Sequence, residues 1–455
     1  MKSNLKLPPG SHIHIVGVAG VGMSALAQLL VDLGFRVSGS DRFLDQGEPV
    51  PVLERLQAAG VELLPQDGRG IRADTACVAV STAIENENPE LVAARDHSVP
   101  VIHRATLLAS RCAGFRVVAV SGTAGKTTVT GMIGWILDRI GLDPTVVNGG
   151  GVVNWSAANR VASVRKGAGE WWIVEADESD RSLLSFTSDV AVITNASKDH
   201  FDLDEVHRIF AQFAARSRGT VIVGPGLKTL PGLEGAEEAA GRTEVIDGSV
   251  FVVVGDLRIP VPLIGQHNGD NARMAIAVCR ALGCALEDIA EALATFGGIE
   301  RRLEVVGKEQ GITVIDEYAH NPSKISAAWS SVAGSSSRIF GVWRPHGFGP
   351  LALMFDELVD AFTSICRKDD CLVLLPVFYA GGTAGGATSS AELAEALRAR
   401  GVNVFAADDY DEVESRARDF LRAGDTLLVM GARDPGLPRF ARKMCERKED
   451  QGLTE

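Results

Sequence analysis

No apolar run in the chain approaches the roughly 20 residues that a membrane-spanning helix needs. The opening stretch MKSNLKLPPGSHIHIVG has no hydrophobic region of the signal-peptide kind. Membrane-inserted and secreted classes are therefore not expected. Positive charge is in deficit: 45 Lys+Arg stand against 58 Asp+Glu, a formal charge of −13, which disfavours capture of a nucleic-acid backbone as the main task. The seven cysteines (Cys77, Cys112, Cys279, Cys284, Cys366, Cys371 and Cys445) are odd in number and contain no C-x-x-C. That argues against a disulfide framework or a zinc site and for reduced thiols in a cytoplasmic protein. Short-period repeats and long charged tails are also missing. What is present, 46% hydrophobic and 23% charged residues over 455 positions, is globular, and the length suggests about three domains.

Three segments each restart with a short apolar strand and a turn rich in glycine or polar residues. The first runs His12-Ile13-His14-Ile15-Val16 into Gly17-Val18-Ala19-Gly20-Val21-Gly22. The second runs Phe115–Val120 into Ser121-Gly122-Thr123-Ala124-Gly125-Lys126-Thr127-Thr128, and the third begins near Ile312. Strands alternating with helix-patterned stretches predict βαβ units and an α/β fold built on mostly parallel sheets. Strands such as Cys77–Val80 and Val190–Thr194 lack polar alternation, as expected where both sheet faces are covered. Glycine and polar clusters put boundaries near Ala113 and Gly297-Gly298, giving domains 1–112, 113–297 and 298–455. Residues 221–262, rich in glycine and β-branched side chains, predict a local antiparallel excursion. Gly381–Gly386 reads as a mobile surface loop.

The second glycine turn carries the most chemistry. Gly122, Thr123, Ala124 and Gly125 let the backbone fold tightly enough for several N–H groups to face phosphate oxygens, and the following helix start adds its dipole. Lys126 is placed to neutralise β/γ-phosphate charge, and Thr127 to ligate Mg²⁺ ahead of Thr128. The match to G-x-x-x-x-G-K-[ST] is imperfect, because Val120 stands at the first glycine position. A plain strand-to-helix turn capped by a threonine is the bland alternative, and the strand–loop–helix context weighs against it.

Two polar clusters follow strands in the same segment: Glu175-Ala176-Asp177-Glu178-Ser179-Asp180 after Trp171–Val174, and Asn195–Asp202 after Val190–Thr194. Ligands in open α/β sheets bind beyond the carboxyl ends of strands. Mg²⁺ needs few protein ligands, so Glu175 with Thr127 suffices, and His200 is the candidate for a second metal or an acceptor phosphoryl group. In the first segment, Gly17-x-x-Gly20-x-Gly22 resembles a dinucleotide fingerprint with Ala19 in place of its second glycine, and Asp41 ends the next strand where a ribose hydroxyl would be met. NAD, a nucleotide sugar and a structural turn all remain open from this stretch alone. In the third segment, Arg301-Arg302, Asp316–Pro322 and Arg344-Pro345-His346 supply polar strand ends. An arginine reaching another domain's phosphates would tie catalysis to domain closure.

Taken together the ordered set resembles the Mur ligase family over nearly the whole chain. It runs from Gly17–Ser24 through Ser81-Thr82-Ala83-Ile84, Gly122–Thr128, Glu175–Asp180, Gly265-Gln266-His267-Asn268 with Asn271, and Arg301-Arg302 to Asp316–His320. The opening stretch and the carboxylate run favour its alanine-adding branch. The resemblance implies a Rossmann-like UDP-binding domain, a central P-loop ATPase and a C-terminal Rossmann-like domain. It further implies that ATP with Mg²⁺ phosphorylates the carboxylate of UDP-N-acetylmuramate, and that an amino acid, L-alanine in this branch, attacks the acyl phosphate.

The implied roles follow the motifs. Gly20, Gly22, Met23, Ser24, Asp41 and Ser81 serve the UDP substrate, Lys126 the phosphates, and Thr127, Glu175 and His200 the metals. His267, Asn268 and Asn271 meet adenine, Arg302 the ATP phosphates, and Asp316 the ATP ribose. Tyr318, His320, Arg344 and His346 stand on the acceptor side. A cytoplasmic monomer or weak homodimer is expected, with neither nucleic acid nor membrane as partner. The chain departs from the family pattern at Gly347 and Pro350, where arginines are usual, at Lys198 and at Ala432-Arg433-Asp434. These departures leave a relative with another amino-acid or peptide acceptor, such as a muropeptide-recycling ligase, as the alternative. An NAD-dependent oxidoreductase would leave the Gly-Lys-Thr-Thr loop unexplained.

Overall fold

A computed structural model describes residues 7–47, 50–197, 201–378 and 388–446. The chain divides into two compact units, Met1–Ile299 and Glu300–Glu455.

The first unit opens with β1 (His12–Val16), β2 (Arg36–Ser40), β3 (Glu62–Leu64), β4 (Thr75–Val80) and β5 (Val101–His103). They form a parallel sheet in the order β3-β2-β1-β4-β5. Crossing from β3 to β4 reverses the direction of growth at β1, so the first glycine turn emerges at a switch point, where such sheets open a crevice.

The second sheet contains β6 (Arg116–Ser121), β7 (Thr145–Val147), β8 (Val164–Arg165), β9 (Trp171–Glu175), β10 (Val190–Ile193), β11 (Thr220–Val223) and β12 (Glu237–Glu238). Its order is β12-β11-β10-β6-β9-β7-β8, parallel except for β8. Adjacent β10, β6 and β9 bring three distant polar clusters to one end of the sheet. A meander of β13 (Arg242–Ile246), β14 (Ser249–Val254) and β15 (Leu257–Val261) is antiparallel, inside the 221–262 region singled out by composition. Its apolar face packs on the helix Gln266–Ala281 through Val250, Val252, Ile259, Met274 and Ile276.

One buried cluster extends across the first two sheets, joining Ile13, Leu26 and Cys77 to Val117, Trp172, Ile193 and Phe210. Continuous burial of this kind explains why residues on both sides of Ala113 hold together as one unit, since apolar area removed from water is the main stabilising term.

The second unit carries β16 (Glu304–Glu309), β17 (Ile312–Glu317), β18 (Ile339–Trp343), β19 (Cys371–Leu374), β20 (Val404–Ala406) and β21 (Thr426–Met430). Their order is β16-β17-β21-β18-β19-β20, with only β16 antiparallel. Residues 381–386, read as a mobile loop, lie outside the described residues. All seven cysteines are free. Burial pushes the thiols of Cys77 and Cys112 up to about 11 and about 12, so they behave as packing groups. No helix among the described residues is long and apolar enough to cross a membrane.

Candidate active site

β6 runs straight into Gly122–Gly125, and the helix Lys126–Arg139 begins on the lysine. Gly125 sits at φ +81°, and a Cβ there would fall 2.2 Å from Oδ1 of Asn271. Glycine is therefore required both for the turn and for the approach of the helix Gln266–Ala281. Asn271 in turn donates to Oδ1 of Asn268 at 3.2 Å, and Asn268 donates to the Ile264 carbonyl at 2.7 Å. The pair expected near adenine thus stands against the phosphate turn, while His267 is exposed on the first turn of the same helix.

Asn195, at the end of β10, braces the turn. Its Oδ1 accepts from the Thr123 hydroxyl at 2.6 Å and from the Ala124 N–H at 2.9 Å, and its Nδ2 donates to the Ala124 carbonyl at 3.0 Å. The Lys126 ammonium donates to the Gly122 carbonyl at 2.8 Å and to Oε2 of Glu178 at 2.6 Å. Thr127 donates to Oε1 of Glu175 at 3.3 Å, and the other oxygen of Glu175 accepts the Gly149 N–H at 2.7 Å. Thr128 is buried behind them.

A cavity of about 300 Å³ runs from the first glycine turn to the end of β9. Its walls include Gly20, Gly22, Met23 and Ser81 from one sheet and Asn148, Gly149, Glu175 and Asp177 from the other. Arg104 lies between, 3.6 Å from Asp177 and 3.4 Å from Asp180. Two expected substrate residues stand elsewhere. Ser24 is buried and donates back to the Val21 carbonyl at 3.0 Å. Asp41 accepts the Ala19 and Phe43 N–H groups at 2.9 and 3.1 Å, so both its oxygens hold backbone and it is absent from the cavity wall.

Charge at this end of the sheet is lopsided. Glu175, Asp177, Glu178 and Asp180 face Lys126 and Arg104. Burial pushes the Glu178 carboxyl up, with Lys126 pulling the other way. At Asp177 burial also works upward, but Lys126, Ser179 and Arg104 together hold it below the usual carboxylate range. An excess of carboxylate beside a phosphate turn calls for a cation. The Thr127 hydroxyl and the Glu175 carboxylate offer the hard oxygen donors that Mg²⁺ takes while keeping waters and phosphate oxygens. The described residues hold no group of three or more His, Cys, Asp or Glu that could hold a metal ion by themselves. His200 and Lys198 lie outside the described residues.

In the second unit, Tyr318, His320 and His346 follow the ends of β17 and β18. Tyr318 and His320 meet edge-on at 5.6 Å, and His320 and His346 at 5.1 Å. Arg301 and Arg302 lie over the Tyr318 ring at 5.1 and 5.4 Å. Asp316 is 1% exposed and pairs with Nε of Arg301 at 3.3 Å. Burial raises its carboxyl against that pull. The Arg344 guanidinium is already engaged, donating to Oδ2 of Asp434 at 2.5 Å and to the Pro376 carbonyl at 3.0 Å. Gly347 has φ +97°, a backbone conformation that an arginine would adopt only under strain.

Sequence reasoning left Arg104, Asn148 and Asn195 without a role and treated Glu178 only as part of a run. Arg104, Asn195 and Glu178 act through neighbours 52 to 76 residues away, a distance over which no local spacing carries a signal, while Asn148 lines the cavity and donates to the Gly150 carbonyl at 3.0 Å.

A glycine turn holding a lysine and a threonine beside a strand-end carboxylate, on a parallel sheet, defines a nucleotide-dependent enzyme of the P-loop type. Comparison with known proteins narrows this. Residues 12–116 match the Mur ligase family catalytic domain, 120–218 the Mur ligase middle domain, and 301–433 the Mur ligase glutamate ligase domain. The UDP-N-acetylmuramate–L-alanine ligase of Rhizobium meliloti (strain 1021) is 36% identical over 424 residues, covering 86% of this chain and 87% of that protein. The protein of the same name from Chelativorans sp. (strain BNC1) is 36% identical over 457 residues, covering 92% and 95%. This chain belongs to the Mur ligase family. It shares its three-domain fold with the UDP-N-acetylmuramate-alanine ligase of Thermotoga maritima, with a TM-score of 0.78 at 24% identity over 95% of this chain and 97% of that one. A murein peptide ligase from Psychrobacter arcticus superposes with a TM-score of 0.67 at 22% identity, covering 96% and 98%.

Proposed function

We propose that the protein is an ATP-dependent ligase that joins L-alanine to UDP-N-acetylmuramate, through an acyl phosphate, in peptidoglycan precursor synthesis. One observation carries the reading beyond family membership. The cavity beginning at Gly20 and Gly22 ends at Glu175, whose carboxylate accepts from Gly149 and from Thr127, the residue after the phosphate-turn lysine. A sugar nucleotide seated on the first glycine turn would thus present its carboxylate beside a triphosphate held by Lys126.

The residues divide the work. Gly20, Gly22, Met23, Ser81 and Arg104 hold the sugar nucleotide. Lys126 and the N–H groups of Gly122–Thr128 hold the phosphates in line with the acceptor carboxylate, since phosphoryl transfer depends on positioning and charge neutralisation. Thr127 and Glu175 would hold Mg²⁺, with His200 assigned to a second metal or the acyl phosphate; bound there, the metal neutralises charge on the transferring group. Asn268, Asn271 and His267 take the adenine side. Arg302 is assigned to the ATP phosphates, Asp316 to the ribose, and Tyr318, His320 and His346 to the amino acid. Chemically, a carboxylate oxygen displaces ADP from the γ-phosphorus. The alanine amine then displaces phosphate from the acyl carbon and loses its proton. The reading takes the enzyme to be cytoplasmic and a monomer or weak homodimer.

Gly347 and Pro350 favour a second reading, in which the same chemistry serves another amino acid or a peptide. Phosphate release, measured with UDP-N-acetylmuramate, MgATP and a panel of amino acids and muropeptides, separates the two. Alanine-dependent release supports the first reading, and release only with another acceptor supports the second. An absence of ADP formation with every acceptor sinks both.

A further inference from the structure

A lysine ammonium has three donors. In Lys126 one is held by the Gly122 carbonyl at 2.8 Å and one by Oε2 of Glu178 at 2.6 Å. The pair is well shielded from water: the Lys126 side chain is 14% exposed and that of Glu178 only 3%. Nearby, the Ala124 N–H and the Thr123 hydroxyl both donate to Oδ1 of Asn195. A lysine and loop N–H groups are what a glycine-rich turn offers to phosphate oxygens. In this protein those donors face the protein's own oxygen atoms: the Gly122 carbonyl, Oε2 of Glu178 and Oδ1 of Asn195.

We propose that Glu178 is a positioning residue that competes with nucleotide phosphate for Lys126. Its carboxylate holds the ammonium folded over Gly122 and keeps a shielded cation paired, so the turn stays formed without a ligand. An arriving phosphate takes the lysine only against that carboxylate, so the charge on Glu178 weakens nucleotide affinity. The proposal deepens the ligase reading and rests on it only in assuming that a nucleotide enters this turn.

The sign of one measurement decides it. Titration calorimetry of the full chain with MgATP gives the dissociation constant. Glu178→Gln, which keeps the shape and removes the charge, is expected to bind on the order of tenfold more tightly. A purely structural role would weaken binding or leave it alone. In a Lys126→Ala background the same substitution is expected to change nothing, because the effect passes through the lysine. Weaker or unchanged affinity in Glu178→Gln, or a gain that survives without Lys126, overturns the proposal. Should the glutamine variant lose its melting transition, Glu178→Asp, which draws the carboxylate back from the lysine, is expected to shift affinity in the same direction by a smaller factor, and no gain there overturns it equally. Failure of the unaltered protein to bind MgATP would strike the ligase reading as well, whereas normal wild-type binding with no gain in the variants strikes this proposal alone.

Discussion

The Gly149 N–H donates to Oε2 of Glu175 at 2.7 Å, and a Cβ added to Gly149 would lie 2.5 Å from that same oxygen. The loop after β7 thus fixes the carboxylate both by a hydrogen bond and by leaving no room between them. Gly149→Ala is expected to push Glu175 away from Thr127. A displacement of about 1 Å in such a group costs on the order of 10²-fold in rate. Steady-state phosphate release, with a melting curve to confirm folding, checks this; full activity in the alanine variant would show that Glu175 is not held by this contact.

Lys126→Ala is expected to abolish phosphoryl transfer, with a loss on the order of 10²- to 10³-fold or more. Affinity for UDP-N-acetylmuramate should stay at its wild-type value, because Lys126 is not part of the cavity wall. Binding of the sugar nucleotide by calorimetry, set beside ADP formation, tests the separation. Parallel loss of both would contradict the proposed layout.

Asp434 is 4% exposed and gathers Arg344, the Tyr410 hydroxyl and the Gly436 N–H. Removing Arg344 leaves a buried carboxylate without its cation. Arg344→Ala should therefore destabilise the second unit by about 3 kcal/mol, measured by urea unfolding. A change in the alanine KM with no loss of stability would instead give Arg344 a role at the substrate.

Burial holds the His320 imidazole down to about 4; Lys324, His346 and Arg302 add to the effect, and a hydrogen bond to the Tyr318 carbonyl opposes it. The unfolded chain protonates this ring near its ordinary 6.5, well before the folded protein does. Between those values the unfolded state binds more protons. The contribution of His320 to stability is thus complete above about 6.5 and is lost as pH falls toward 4. The thermal midpoint should fall over this window, and less steeply in His320→Gln. An identical slope in the variant would remove His320 from the explanation.

The sheets and the phosphate turn were legible in the sequence because their causes are local: apolar runs of strand length, glycines where the backbone must turn tightly, and a lysine on the first turn of a helix. Glu175 was legible as the polar end of an apolar strand. Asp41 shows the limit, since spacing placed it at a strand end but could not show its carboxylate turning back onto Ala19 and Phe43. Arg104, Asn195 and the Glu178 contact were illegible for a related reason. The Asn195 and Glu178 contacts exist only once β10, β6 and β9 lie side by side, and those of Arg104, which follows β5, only once the first sheet packs beside the second. The division near Ala113 is visible as composition, whereas the core that joins its two sides depends on Phe210 and Trp172 meeting Leu26 and Ile13 in space.

Because Asn195 reaches the phosphate turn from a strand that follows it by some 70 residues, the turn is finished late in the life of the nascent chain. Every glycine, the lysine and the threonine are made before β10, so the Thr123 hydroxyl and the Ala124 N–H gain their Asn195 partner only when that later strand has docked beside β6.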